Sequence, residues 1–316
     1  MSDSTPIRAI TVVGIGGIGG VIGSRLALRP PAAGRQVTFI ARGPHLAAIR
    51  ARGLRLIRPD GTAVLVRPDL ATDRLEEAPA PDLVVICVKS YDLDAAADQL
   101  AAVVQPSTVA LSLLNGADIR ERLRGRLRRG IVPPACIYVS ARRREPGTVE
   151  HVGGAGKIHL GSDPEVPAWS GGELRAVLQE AGIPYQWHDD PTVAVWTKYV
   201  FIASLALVTA ARGADFGQVL ADPQLSAQAR GVMEEIRRIA EAGGIALPAD
   251  IVESTLRTAG GFPPETRTSY QRDIENRAPA DEGDLYGGTI LRLGARYGVP
   301  TPVSEELSAA IARLRA

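Results

Sequence analysis

The chain has 316 residues, enough for two domains of ordinary size, each with its own core. Its 36 Lys+Arg against 35 Asp+Glu leave a formal charge of +1, which argues against a nucleic-acid partner and against acidic disorder. Two cysteines, Cys87 and Cys136, cannot make a disulfide framework, and a cytoplasmic location is expected.

Elements follow in chain order, alternating short apolar runs with helical patterns as in an α/β sheet. Residues 1–6 have neither a basic n-region nor a cleavage signal, so no export is expected. Residues 7–13 read as a strand, followed by a glycine turn and a helix that ends at Leu28, with 21–28 as its regular part. A second strand is expected at 36–41, a short helix at 45–52, and a hairpin over 54–66 turned at Asp60-Gly61. The run 82–88 is continuously β-branched and apolar, as in a strand covered on both faces, with Cys87 inside it. Residues 94–104 are helical, 108–114 a strand and 119–129 a helix. Short strands at 131–141 and 149–160 complete the sheet, and a helix spans 173–181. Beyond Asp190 the pattern is helical, punctuated by Gly and Pro near 243–244, 260–264 and 298–302. The predicted fold is a Rossmann-type doubly wound domain over 1–190 and an all-α domain over 191–316. Arginines at 120–129 and 142–144 read as solvated faces. His45, His151, His159 and His188 lack metal-ligand spacing, so no metal is expected.

Gly14-Ile15-Gly16-Gly17-Ile18-Gly19 fits G-x-G-x-x-G, between a strand and a helix. Its glycines permit a tight turn, close backbone approach to a pyrophosphate, and close helix–strand packing. The helix N-terminus offers free N–H groups to the phosphates. An NAD site expects an acid near the end of the second strand. Arg42 stands there instead, and its guanidinium suits the 2′-phosphate of NADP.

Lys198 is the sole charge inside an apolar run over 193–211. The run is long enough to suggest a membrane span, but it is the only such run and contains a charge. Lifting the amine to the surface along its stem is the bland alternative. An interior amine is desolvated, which acts to lower a lysine pKa and suits a proton donor near neutral pH.

These motifs together resemble the ketopantoate reductases (2-dehydropantoate 2-reductases). The likeness extends over nearly the whole chain: the glycine loop, Arg42-Gly43, Lys89, Asn115-Gly116, Pro146-Gly147, Trp196 with Lys198, Ser269, and Gly298 to Pro302. It implies NADPH-dependent reduction of a 2-oxo acid in pantothenate biosynthesis, by a Rossmann domain followed by a helical one. Lys198 would hydrogen-bond the ketone oxygen and protonate it, kept dry between the domains and facing the nicotinamide. Lys89 and Asn115 would close over the cofactor, Ala141 would give it a backbone contact, and Ser269 would meet the substrate carboxylate. Lys89 as a solvated loop residue, Asn115-Gly116 as a plain turn and Ser269 as a helix cap are the bland alternatives.

The resemblance breaks beside the lysine. Where the family has asparagines four and eight residues on, this chain has Ile202 and Ala206, and a further family asparagine falls near Phe216. Both Ile202 and Ala206 share a helix face with Lys198, so the substrate wall becomes apolar. The family's cofactor-contacting glutamate aligns with Asp281, or with the adjacent Glu282 if the register slips. Three functions follow: ketopantoate reduction; reduction of a bulkier or more apolar 2-oxo acid, ketone or imine, as in an opine-like dehydrogenase; or an NADPH-binding sensor without catalysis. Related enzymes are commonly dimeric or monomeric, and a homodimer is the assembly expected.

Overall fold

The computed structural model describes residues 6–28 and 34–315. Residues 1–5, on which most of the export reading rests, lie outside them. The chain forms two compact units. The first runs to Leu114 and resumes over Ile119–Pro191, and the second combines Asn115–Asp118 with the chain from Thr192 onward.

The first unit's strands are β1 (Ala9–Val13), β2 (Gln36–Ile40), β3 (Leu54–Ile57), β4 (Ala63–Val66), β5 (Leu70–Thr72), β6 (Leu83–Ile86), β7 (Val109–Ser112), β8 (Ala135–Glu145), β9 (Thr148–Gly161) and β10 (Tyr185–His188). Its helices are α1 (Gly17–Leu28), α2 (Gly43–Arg52), α3 (Leu93–Ala101), α4 (Ile119–Arg126) and α5 (Gly172–Glu180). Five parallel strands in the order β5-β2-β1-β6-β7 make the Rossmann-type sheet. Its inner strands are buried beyond their first residue, and β6 throughout, as sheets covered on both faces require.

α1 begins at Gly17, a turn earlier than the regular part read from sequence, and includes Gly19, Gly20 and Gly23. Interior glycine costs about 1 kcal/mol of helix propensity, but closeness demands it here. A Cβ on Gly20 would lie 2.6 Å from Val149, and one on Gly23 2.9 Å from Phe39. Tertiary packing therefore sets the helix start.

Two strand expectations are corrected. β8 and β9 are long, 11 and 14 residues, and belong to a second sheet ordered β10-β9-β3-β4 with β8 on β9. Glu145-Pro146-Gly147-Thr148 turns them into a hairpin, with Gly147 at φ +80° as the αL position of such a turn demands. The polar, exposed residues 142–145 hid this strand, since only part of it is buried. Cys87 lies just beyond β6 rather than inside it, and burial raises its thiol pKa, keeping it neutral. His45 is buried, and its Nδ1 accepts the Gly147 N–H at 2.9 Å, tying α2 to the hairpin turn.

The second unit is helical among the described residues: α6 (Thr192–Arg212), α7 (Phe216–Ala221), α8 (Pro223–Ala242), α9 (Ile251–Gly260), α10 (Ser269–Glu275), α11 (Thr289–Tyr297) and α12 (Pro302–Arg315). One turn of π-helix over Asp284–Gly288 leads into α11. α6 is long and apolar enough to cross a membrane by composition alone, yet it is this unit's central helix. Val200, Ala203, Leu205 and Val208 are sealed against α8, α10 and α12. The helix starts are written locally: Asp215 and Gln218 form a capping box, and Asp222 and Thr268 cap α8 and α10.

Candidate active site

Strand register lines up the candidate nucleotide residues. Val13 pairs with Ile40 and with Ile86, and Ile86 pairs with Ser112, so the carboxyl ends are nearly flush. The glycine loop leaves β1, Arg42 follows β2, and Lys89 follows β6. In open α/β sheets ligands bind at this edge. The Gly14 N–H donates to the Ile40 carbonyl at 3.0 Å, drawing the loop against the end of β2.

The loop glycines divide by what surrounds them. Gly14 has φ +90°, and a Cβ there would lie 2.8 Å from the Val88 nitrogen. A Cβ on Gly17 would collide with the Ala141 carbonyl, and one on Gly19 with the Gly14 carbonyl. Gly16 alone among the four faces open space, with no heavy atom within 4 Å of its ideal Cβ. That is the clearance a pyrophosphate needs next to free helix N–H groups, so the loop fits a dinucleotide. Ala141 lies directly beneath the first turn of α1, while Ile15 is buried and Ile18 packs against the core. Arg42 is exposed and its Nη1 donates to Asp92 at 3.3 Å. Lys89 is half-buried, and its carbonyl accepts the Asp92 N–H at 2.9 Å.

Within the second unit Lys198 is 8% exposed, so its amine does not rise to the surface. Its Nζ donates to Asn115 Oδ1 at 2.5 Å, and Asn115 Nδ2 donates to the Tyr286 hydroxyl at 3.4 Å. Asn115, expected with Lys89 to close over the cofactor, has its amide engaged with the lysine. Tyr286 also shares a hydrogen bond with Ser269. Thr268, rather than Ser269, caps α10, which disposes of the capping alternative. Lys198, Asn115, Tyr286 and Ser269 thus form one polar arc.

Asp281 is not part of that arc. Its Oδ1 accepts the Gly283 N–H at 2.6 Å and its Oδ2 is ion-paired with Arg315. Glu282 is the buried carboxylate of the two, and its charge, after burial itself, pushes the Tyr286 hydroxyl pKa upward. Ile202 is half-buried and Ala206 fully buried on the Lys198 face of α6. One turn beyond the lysine, Phe201 stacks on Phe262 with centroids 5.6 Å apart, and Phe216 lies edge-on to both. Sequence reasoning missed Tyr286, Phe201 and Phe262. The paired glycines after Tyr286, inside a helical tract, were the available signal for an irregular turn there.

The profile described as ketopantoate reductase PanE/ApbA matches residues 10–165, and that of its C-terminal domain matches residues 192–315. A 2-dehydropantoate 2-reductase from Mesorhizobium japonicum is 30% identical, covering 96% of this chain and 97% of that protein. A ketopantoate reductase structure from Ralstonia eutropha JMP134 superposes with a TM-score of 0.87 at 30% identity, covering 98% of each chain. A 2-dehydropantoate 2-reductase structure from Porphyromonas gingivalis W83 gives 0.80 at 30% identity, covering 98% of this chain and 100% of that one. With the Rossmann-type sheet, the glycine loop and the buried lysine in view, the chain belongs to the ketopantoate reductase family. It is an oxidoreductase of the nicotinamide-dependent class that acts on a carbonyl group.

Proposed function

We propose that this protein reduces a 2-oxo acid to the 2-hydroxy acid with NADPH, with ketopantoate to pantoate as the default pair. The observation behind this reading is the buried Lys198 ammonium held on an amide oxygen. When bound, the cofactor supplies the hydride that the carbonyl carbon takes. The carbonyl oxygen gains negative charge as that happens, and Lys198 meets it with a positive charge and an N–H donor. Lys198 then gives its proton to that oxygen and is recharged from solvent. Asn115 holds the amine in position beforehand, and the hydroxyl of Ser269 is offered to the substrate carboxylate. Residues 1–190 supply the nucleotide site: Gly14 to Gly19 for the pyrophosphate, Ala141 through its backbone, Lys89 over the cofactor, and Arg42 for the 2′-phosphate. Residues 191–316 supply catalysis, with Glu282 favoured over Asp281 as the family-equivalent carboxylate because Arg315 occupies the latter. Cys87 and Cys136 form no disulfide among the described residues, which supports a reducing, cytoplasmic setting, and a homodimer is the proposed assembly.

Initial rates of NADPH oxidation with ketopantoate test the reading, and the absence of turnover with any 2-oxo acid rejects it. Arg42→Ala should raise the KM for NADPH about tenfold and leave that for NADH unchanged. An equal effect on both coenzymes removes the 2′-phosphate role.

A second reading is favoured by the apolar wall. Ile202 and Ala206 flank the lysine and Phe201, Phe216 and Phe262 cluster one turn away. A wall without hydrogen-bonding groups has no means of demanding the substrate's hydroxyl. Bulkier aliphatic or aromatic 2-oxo acids, or the corresponding imines, would then be turned over with higher kcat/KM than ketopantoate. A substrate panel led by ketopantoate refutes this second reading.

A further inference from the structure

The turn of π-helix over Asp284–Gly288 puts a buried tyrosine behind the amide that holds Lys198. An ammonium has only donors, so the amide must show it oxygen rather than nitrogen. The two ends of an asparagine side chain are nearly the same size, and a half-turn about its last bond would exchange them. Something has to select the orientation.

We infer that Tyr286 is a positioning residue, whose hydroxyl accepts from Asn115 Nδ2 and so keeps Asn115 Oδ1 turned toward Lys198. The hydroxyl is fully buried, and burial together with the Glu282 charge raises its pKa, so it stays protonated. Ser269 also hydrogen-bonds this hydroxyl. The ring is fixed by packing against Tyr270, with centroids 5.3 Å apart. Its backbone is held from α6 itself: the hydroxyl of Tyr199, next in sequence to the lysine, shares its one proton between the carbonyls of Leu285 at 3.1 Å and Tyr286 at 2.9 Å. π turns recur at functional sites. Tyr286 itself does not touch the reacting atoms. It acts through Asn115, and the inference rests on Lys198 being the proton donor.

Tyr286→Phe keeps the ring and deletes the one atom that matters. The expected result is a fall in kcat of about tenfold, with the KM for NADPH unchanged and the melting temperature close to wild type. The alkaline limb of the kcat–pH profile should also move to lower pH, because an amide free to turn no longer stabilises the charged amine. In an Asn115→Asp background either rotation presents oxygen, so the same substitution should leave kcat and the limb where Asn115→Asp sets them. A wild-type limb in Tyr286→Phe overturns the inference, whether or not kcat falls. Lys198→Ala separates the two levels. If it abolishes turnover while Tyr286→Phe behaves as wild type, only the positioning role fails; if it retains wild-type turnover, the proton-donor reading fails.

Discussion

At the scale of single residues, four glycines in one loop have separate tasks. Gly14 supplies a backbone angle that other residues resist, and Gly17 and Gly19 let backbone meet backbone where a methyl group would collide. A Cβ on Gly16 would meet no other part of the protein, so the space there is left open for a ligand to occupy. The two kinds of role can be pulled apart by the same mutation. Gly16→Ala should leave the thermal midpoint unchanged while weakening NADPH binding roughly tenfold or more in a titration. Gly19→Ala should unfold more easily, by about 1–3 kcal/mol in denaturant, since Cys87 and the Gly14 carbonyl must both give way. Equal stability losses in the two variants would contradict this division. The loop was legible from sequence because its glycines obey a fixed spacing. Which glycine faces the ligand was not, because that depends on Ala141, Cys87 and Val88, which arrive from distant parts of the chain.

At the scale of elements, the most consequential contact away from the site is a carboxylate at a helix start. Glu235 of α8 is 3% exposed and accepts from the Val303 and Ser304 N–H groups at 2.7 and 3.1 Å, and from the Ser304 hydroxyl at 2.6 Å. These are the first N–H groups of α12, where a negative charge is welcome and unpaired donors are costly. Glu235→Ala should lower stability by about 2–3 kcal/mol in a denaturant titration, and Glu235→Gln by less, since it keeps an acceptor. A neutral Glu235→Ala variant would mean that water replaces the carboxylate without loss. Helix breaks in this unit were legible where Gly and Pro marked them, whereas the Asp215, Asp222 and Thr268 caps were not read. The long hairpin of β8 and β9 was not, because its pairing buries only part of each strand and leaves no clean alternation. β5 and β10, three and four residues long, were missed for the same reason.

At the scale of the whole molecule, the division into units explains why an asparagine read as a cofactor residue also contacts the buried Lys198. Asn115–Asp118 follow a strand of the first unit but cluster with the second. Asp118 is buried, accepts from Arg292 at 3.0 Å and from the Thr289 hydroxyl at 3.1 Å, and so anchors this short segment to α11. Asn115 is thereby delivered to Lys198 by an ion pair that no local pattern announces. The burial of Lys198 was legible, since one charge in an apolar run has few neighbours that could bring it to the surface. Its acceptor, its distance and the tyrosine behind it required the fold.

The most direct measurement is the rate of NADPH oxidation by Lys198→Ala under saturating 2-oxo acid, with NADPH affinity measured in parallel. Removing the buried amine should lower kcat by ~10²–10⁴-fold and leave NADPH binding within about twofold of wild type. A variant that turns over at the wild-type rate, or that loses nucleotide binding along with activity, would contradict the role given to this lysine.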